Sequence, residues 1–206
     1  MRKRIVSAAA GLAILFTAAG VQAQGMKDVK ITASDLGKGI HTLMGRGGNI
    51  GLSAGSDGVF MVDDLLAPLT PKIVAAVRQI SQQPIRFVLN THWHFDHTGS
   101  NKNLGKVGVA IVAHDNVRRL MSAEQFLKAF GRKIPAAPKA ALPIVTFSDG
   151  VTFHLNGETI KVLHAPNAHT SGDSIVHFRG SGHHSHGRYV FQRVLSVYRF
   201  PTWGHY

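Results

Sequence analysis

Between residues 29 and 64 apolar and polar side chains alternate in short runs broken by glycine. Val29–Thr32 and Gly39–Leu43 alternate in this way. Gly45, Gly47 and Gly48 then mark a turn before Asn49–Ser53, and Gly58–Val62 follows a Ser-Asp-Gly turn and ends in Asp63-Asp64. A period of two with glycine punctuation predicts strands joined as a meander, one half of a layered sheet. From Leu69 to Gln82 the period changes. Ile73, Val74, Val77 and Ile80 form one stripe, Thr70 can cap the run and Pro71 suits a first turn, so a helix is predicted. Phe87–Asn90 is a short apolar run with strand character, and Val107–Val112 predicts a buried strand ending in Ala113-His114-Asp115. Asn116 to Gly131 predicts helix in one or two pieces, with Leu120, Met121, Phe126, Leu127 and Phe130 apolar. Lys133–Pro143, with its prolines, predicts a surface connection. Strands resume at Ile144–Phe147, Val151–Leu155 and Thr159–His164, with Asn156-Gly157 as a tight hairpin turn.

The first residues read differently. Met1-Arg2-Lys3-Arg4 is followed by an apolar stretch from Ile5 to Ala19 and by Val21-Gln22-Ala23. A basic start, an apolar middle and a small-residue end predict a secretory signal peptide over residues 1–23, cleaved after Ala23. The apolar stretch is short for a membrane span and is cut by Gly11 and Gly20, so stable membrane insertion is not expected and an exported, periplasmic or secreted protein is. The chain has no cysteine, which rules out disulfides and a thiolate nucleophile.

The formal charge of +12 changes less than it suggests. Three cations lie in the first four residues, and Arg179, Arg188, Arg193 and Arg199 lie beyond the last acidic residue, Asp173. Residues 5–173 carry 16 Lys+Arg against 11 Asp+Glu, which is ordinary for an exported domain and does not predict a nucleic-acid partner.

The chemistry is concentrated at Thr91-His92-Trp93-His94-Phe95-Asp96-His97. Side chains two apart on an extended backbone face the same way, so His92 and His94 can point at one ion. Zinc takes imidazole nitrogens and carboxylate oxygens, and Asp96 and His97 sit where the chain leaves the strand and can reach a second ion. Asp64, at a strand end, is a candidate partner for a ligating imidazole, beside the plainer reading of a solvated turn carboxylate. A second landmark is the loop Ala165–Ser174, where Pro166 and small residues break a strand and His169 follows. Asp173 can brace that loop or contact the site. His114, His154, His164 and His177 lie on strands or at their ends and read as structural or exposed histidines.

The pattern His92-x-His94-x-Asp96-His97 resembles the signature of the metallo-β-lactamase superfamily. The resemblance implies an α/β fold, an αββα sandwich, over residues 24–180. It also implies a metal set of His92, His94, Asp96, His97 and His169, with His169 the third ligand of the first of one or two zinc ions. Asp96 would serve catalysis by holding a zinc-activated hydroxide that attacks an amide (β-lactam) or ester-type carbonyl of a small-molecule substrate. A glyoxalase-II-like thioesterase and a metal-binding remnant without catalysis are the alternatives, and a nucleic-acid-processing member is disfavoured by the export signal. Relatives carry a further Gly-Asp on a later strand, and this chain has no acidic residue after Asp173.

From about Ser181 the composition shifts to His183, His184 and His186, scattered Arg, and aromatic residues. Residues 181–206 can be back-translated so that a one-base shift reads through a His-Thr-Gly-Asp, which predicts a reading-frame slip near Gly180–Ser181. The second half of the sandwich is then incomplete, and low stability with weak or absent activity is expected. A genuine tail, with a strand over Tyr189–Phe200, is the alternative.

Overall fold

The computed structural model describes residues 25–127 and 131–180, with the backbone of 189–190. The expected signal peptide and nearly all of the 181–206 tail lie outside the described residues. Among the described residues no helix is long and apolar enough to cross a membrane.

Two sheets lie face to face. The larger runs in the order β1 (Thr32–Gly37), β2 (Ile40–Gly45), β3 (Gly48–Gly55), β4 (Gly58–Val62), β5 (Ile85–Asn90), β6 (Ala110–His114), β9 (Val145–Phe147). Its first four strands pair antiparallel, and β4, β5, β6 and β9 pair parallel. The smaller sheet is an antiparallel set of β10 (Gly150–Leu155), β11 (Glu158–His164), β12 (Ser174–Phe178) and β13 (Tyr189–Val190). The family of elements is that expected: a mixed α/β sandwich.

Strand β4 shows why its five residues read as one apolar run. Val59 and Met61 face a core shared with α1 (Thr70–Ile80), where Ile73, Ala76 and Val77 are buried. Phe60 and Val62 face the other way, into a core shared with Ile160, Val162, Val176 and Phe178 of the second sheet. A parallel strand covered on both faces has no polar side to alternate with. Phe60 joins the layers, its ring edge-on to Phe153 at 4.8 Å between centroids. The hairpin turn at Asn156-Gly157 forms as expected, and the Asn156 amide also ties the sheets, donating to Ser53 Oγ and Gly58 O while accepting from the Asp57 amide.

Three expectations are corrected. The first strand starts at Thr32, not Val29, because β1 is an exposed edge whose limits follow its pairing with β2 rather than apolar alternation. Among the described residues, the helix expected over Asn116–Gly131 is confined to α4 (Asp115–Met121). Beyond it β7 (Gln125–Leu127) pairs with β8 (Arg132–Ile134) as a hairpin, so cross-strand bonding overrides the helical spacing of the apolar residues. Two short helices, α2 (Phe95–Thr98) and α3 (Asn101–Lys106), occupy the segment read only as a turn and a passage onward.

Candidate metal centre

The carboxyl ends of the parallel strands β4, β5 and β6 place Asp63, Asn90–His92 and His114 along one rim. The chain leaves β5 through Thr91-His92-Trp93-His94 and turns at once into α2, so the histidine run is bent around a single point. From the second sheet the loop between β11 and β12 brings His169 to the same point. One ligand atom from each of His92, His94 and His169 falls within 4.8 Å of the others. His169 Nε2 lies 3.1 Å from His94 Nδ1, and the His92 and His169 ring centroids are 5.3 Å apart. His92 Nε2 is buried without a hydrogen-bond partner, as is His97 Nε2. A buried imidazole nitrogen with no partner is costly in itself. Ring nitrogens of buried His92, half-buried His94 and exposed His169, brought together from two loops, form a donor set that suits a divalent cation with tetrahedral preference.

The supports of these rings lie behind them. Asp63 is fully buried and accepts hydrogen bonds from the Thr91 amide and hydroxyl and from His97 Nδ1, each at 2.8 Å. The Thr91 hydroxyl, its proton spent on Asp63, lies 3.2 Å from His92 Nδ1 and can accept the proton there. That fixes His92 with Nε2 bare. The carboxylate that meets an imidazole is thus Asp63, not the expected Asp64. Asp64 turns instead to the Ser100 amide at 2.9 Å, and its second oxygen is buried without a partner. The reason is conformational: Asp63 has φ +62°, which breaks the strand alternation at that residue. Asp173 braces the His169 loop, accepting from the amides of His169 and Thr170, both at 2.9 Å.

Asp96 Oδ2 stands 3.6 Å from His97 Nε2. These two side chains lie beside the triad, and among the described residues His92, His94 and His169 are the group of three that converges. Gly47, at the turn between β2 and β3, closes over this side. Its φ is +102°, and a Cβ there would meet Asp96 Cβ at 3.3 Å. Sequence reading missed Asp63, Thr91 and Gly47 as parts of the site. The glycine-rich turn was visible, but nothing in it announced contact with Asp96.

Electrostatics follow burial and neighbours. Burial, with the crowding of His97, His94 and His169, pulls the His92 imidazole far below its usual range. Burial and the nearby His169 and His97 bring His94 down to about 4. Both rings are therefore neutral at pH 7 and able to ligate. At His97 burial acts downward but is outweighed by the charge and hydrogen bond of Asp63 and then by Asp96, so its pKa rises. Asp96 is raised by burial against the opposing charge of His97. Asp64 is raised well above the carboxylate range, chiefly by burial.

Trp93 projects beside the triad, its ring centroid 4.7 Å from that of His94. It lines an apolar cavity of about 230 Å3 together with Met121, Ile134, Ala137, Ala141 and the stem of Lys102. The hairpin β7–β8 forms part of its wall through Gln125 and Ile134.

A sequence profile described as the metallo-beta-lactamase superfamily matches residues 43–193. Solved structures of similar shape include a subclass B3 metallo-β-lactamase isolated from a soil metagenome library, with 21% identity and a TM-score of 0.61 over 76% of this chain and 60% of that one. A metallo-β-lactamase of Cronobacter sakazakii has 20% identity and a TM-score of 0.64 over 77% of this chain and 61% of that one. A subclass B3 enzyme of Bradyrhizobium japonicum has 20% identity and a TM-score of 0.61 over 76% and 60%. At these identities the likeness is one of fold, and the chain spans about 60% of the length of these structures.

Proposed function

Since the chain belongs to the metallo-β-lactamase superfamily, we propose that it is an exported zinc-dependent hydrolase acting on an amide (β-lactam) or ester-type carbonyl of a small molecule. One observation carries the reading: ring nitrogens of His92, His94 and His169 lie within 4.8 Å of one another, with His92 Nε2 buried and unpartnered. These three would hold the ion, and Asp96 with His97 would reach toward a second. When bound, zinc supplies Lewis acidity, which polarises a carbonyl and acidifies water at neutral pH. The protein's own contribution is position and proton handling. Asp63 and Thr91 hold His92 in the tautomer that leaves Nε2 free. Asp96, its pKa raised by burial, offers an acceptor for the proton of an attacking water. Asp63, accepting from His97 Nδ1, fixes that ring with Nε2 on the side of Asp96, 3.6 Å from its Oδ2. The apolar wall at Trp93 and Met121 suits an aryl or alkyl substituent of the substrate. Export rests on the basic, apolar and small-residue pattern of residues 1–23.

The rival reading is a metal-binding protein that holds zinc without turnover. Metal analysis of the purified chain, with nitrocefin and thioester substrates tested on the parent, His92→Ala and Asp96→Ala, separates the two. Turnover lost in both variants supports the hydrolase and its substrate arm. Zinc retained by the parent without any turnover establishes the second reading instead.

A further inference from the structure

The loop carrying His169 runs from Ala165 to Asp173, and Pro166 to His169 are exposed. It has little apolar burial to hold it, so polar contacts must fix its position. The bonds from Asp173 to the His169 and Thr170 amides are internal to the loop. They shape it but do not dock it. At its base the Ala165 amide donates to Asp173 O at 2.8 Å and the Ser174 amide to Thr91 O at 2.9 Å, which anchors the two ends and leaves the His169 tip to be placed by other contacts.

The contacts that place the tip come from α4 and from the end of β11. Ser171 O accepts from Asn116 Nδ2 at 2.8 Å and from His164 Nε2 at 3.2 Å. Next to it Gly172 lies directly on the helix, where an added Cβ would stand 2.8 Å from Val117 Cγ2 and 3.0 Å from Val117 N. The His164 ring is itself held. It stacks on His114 with centroids 3.9 Å apart and planes 18° from parallel. His114 is locked in turn, donating from Nε2 to Ser148 O at 2.8 Å and accepting the Asn116 amide at Nδ1 at 3.1 Å. Burial and the adjacent His164 press the His114 pKa down, which suits the neutral donor these bonds require. Phe147 meets the His114 ring at 5.8 Å and 79°.

We propose that His164, stacked on His114, and Asn116 are positioning residues for His169. They act through one shared acceptor, Ser171 O, and set how tightly the site holds its cation. Ligating side chains must be held within about 0.5 Å of their working geometry, and the Ser171 carbonyl is two residues from the third imidazole. The inference rests on the metal-site reading given above.

The test uses the full chain and two probes, Zn2+ in competition with a chromophoric chelator and the visible spectrum of bound Co2+. His164→Ala and Asn116→Ala are each expected to weaken Zn2+ binding about tenfold, the lower end of what partners of metal ligands contribute, and to perturb the Co2+ bands. His164→Gln keeps a donor N–H and recovers most of the affinity, whereas His164→Phe keeps a stacked ring without the donor and does not. The double variant loses less than the product of the single losses, because both donors serve one oxygen. In a His169→Ala background the same substitutions leave Zn2+ affinity unchanged. Variants that lose thermal stability yet bind Zn2+ like the parent, or that weaken binding equally without His169, overturn the inference alone. A parent chain that binds no Zn2+ overturns the metal reading and this inference together.

Discussion

Replacing Asp63 by Asn tests whether one buried carboxylate sets the proton positions of the site. Asp63 is fully buried and accepts three hydrogen bonds at 2.8 Å, from the Thr91 amide, the Thr91 hydroxyl and His97 Nδ1. An Asn of the same shape keeps an oxygen for the Thr91 amide. Its NH2 then faces two groups that were themselves donors. The Thr91 hydroxyl must turn its proton toward His92 Nδ1, 3.2 Å away. His92 then carries its own proton on Nε2, the nitrogen that has to be bare to ligate. His97 likewise moves its proton to Nε2, on the side of Asp96. Losing such a support costs about 10–100-fold in metal affinity, or about 1.4–2.8 kcal/mol. The lost charged hydrogen bonds cost the fold a further ~1.5–3 kcal/mol, which lowers the melting temperature by roughly 3–12 °C in a domain of this size. Chelator competition reads the affinity, thermal unfolding with and without chelator reads the fold, and 15N shifts of the imidazoles read the tautomers. An Asp63→Asn chain with the parent's zinc affinity and unchanged His92 tautomer refutes the reasoning.

Metal-free protein should lose stability as the pH falls from about 6.5 through about 4. His92 and His94 have folded pKa values below the unfolded one, so their contribution is complete above the unfolded value and lost as they are forced to charge. His97, raised in the fold, acts oppositely and only above the unfolded value. A metal-free His94→Gln chain should therefore show a shallower acid slope in denaturant midpoints, and an identical slope excludes the assignment. Phe60→Ala removes the ring that joins the two sheets and should cost about 3–5 kcal/mol by urea unfolding; a loss under 1 kcal/mol would mean the sheets do not share this core. Gly47→Ala, at φ +102° and 3.3 Å from Asp96 Cβ, should cost about 1–3 kcal/mol and reduce any turnover more than it reduces zinc affinity.

The layered α/β fold was legible because the short apolar runs of β4 and β5 and the helical stripe of α1 answer directly to the cores they pack into. His92 and His94 were legible for a chemical reason, since they stand two apart at a strand end, whereas His169 was legible as their partner only through the resemblance to the metallo-β-lactamase superfamily. What was not legible depended on single backbone angles and on partners distant in sequence. Asp63 and Asp64 are identical as letters, and the positive φ at Asp63 decides which one meets His97. The segment Gln125–Ile134 has helical apolar spacing, yet its two halves pair as strands around a turn where Gly131 has φ +56°. His114 and His164, read from sequence as structural or exposed, stack on one another, and the carbonyl that His164 meets belongs to the loop of the third imidazole.

The central claim is that imidazoles from two separate loops meet on one cation. X-ray absorption at the zinc edge of the loaded protein measures this directly. The account predicts three imidazole nitrogens at about 2.0–2.1 Å in the parent and two in His169→Ala; a spectrum without an imidazole shell, or one unchanged by the loss of His169, contradicts it.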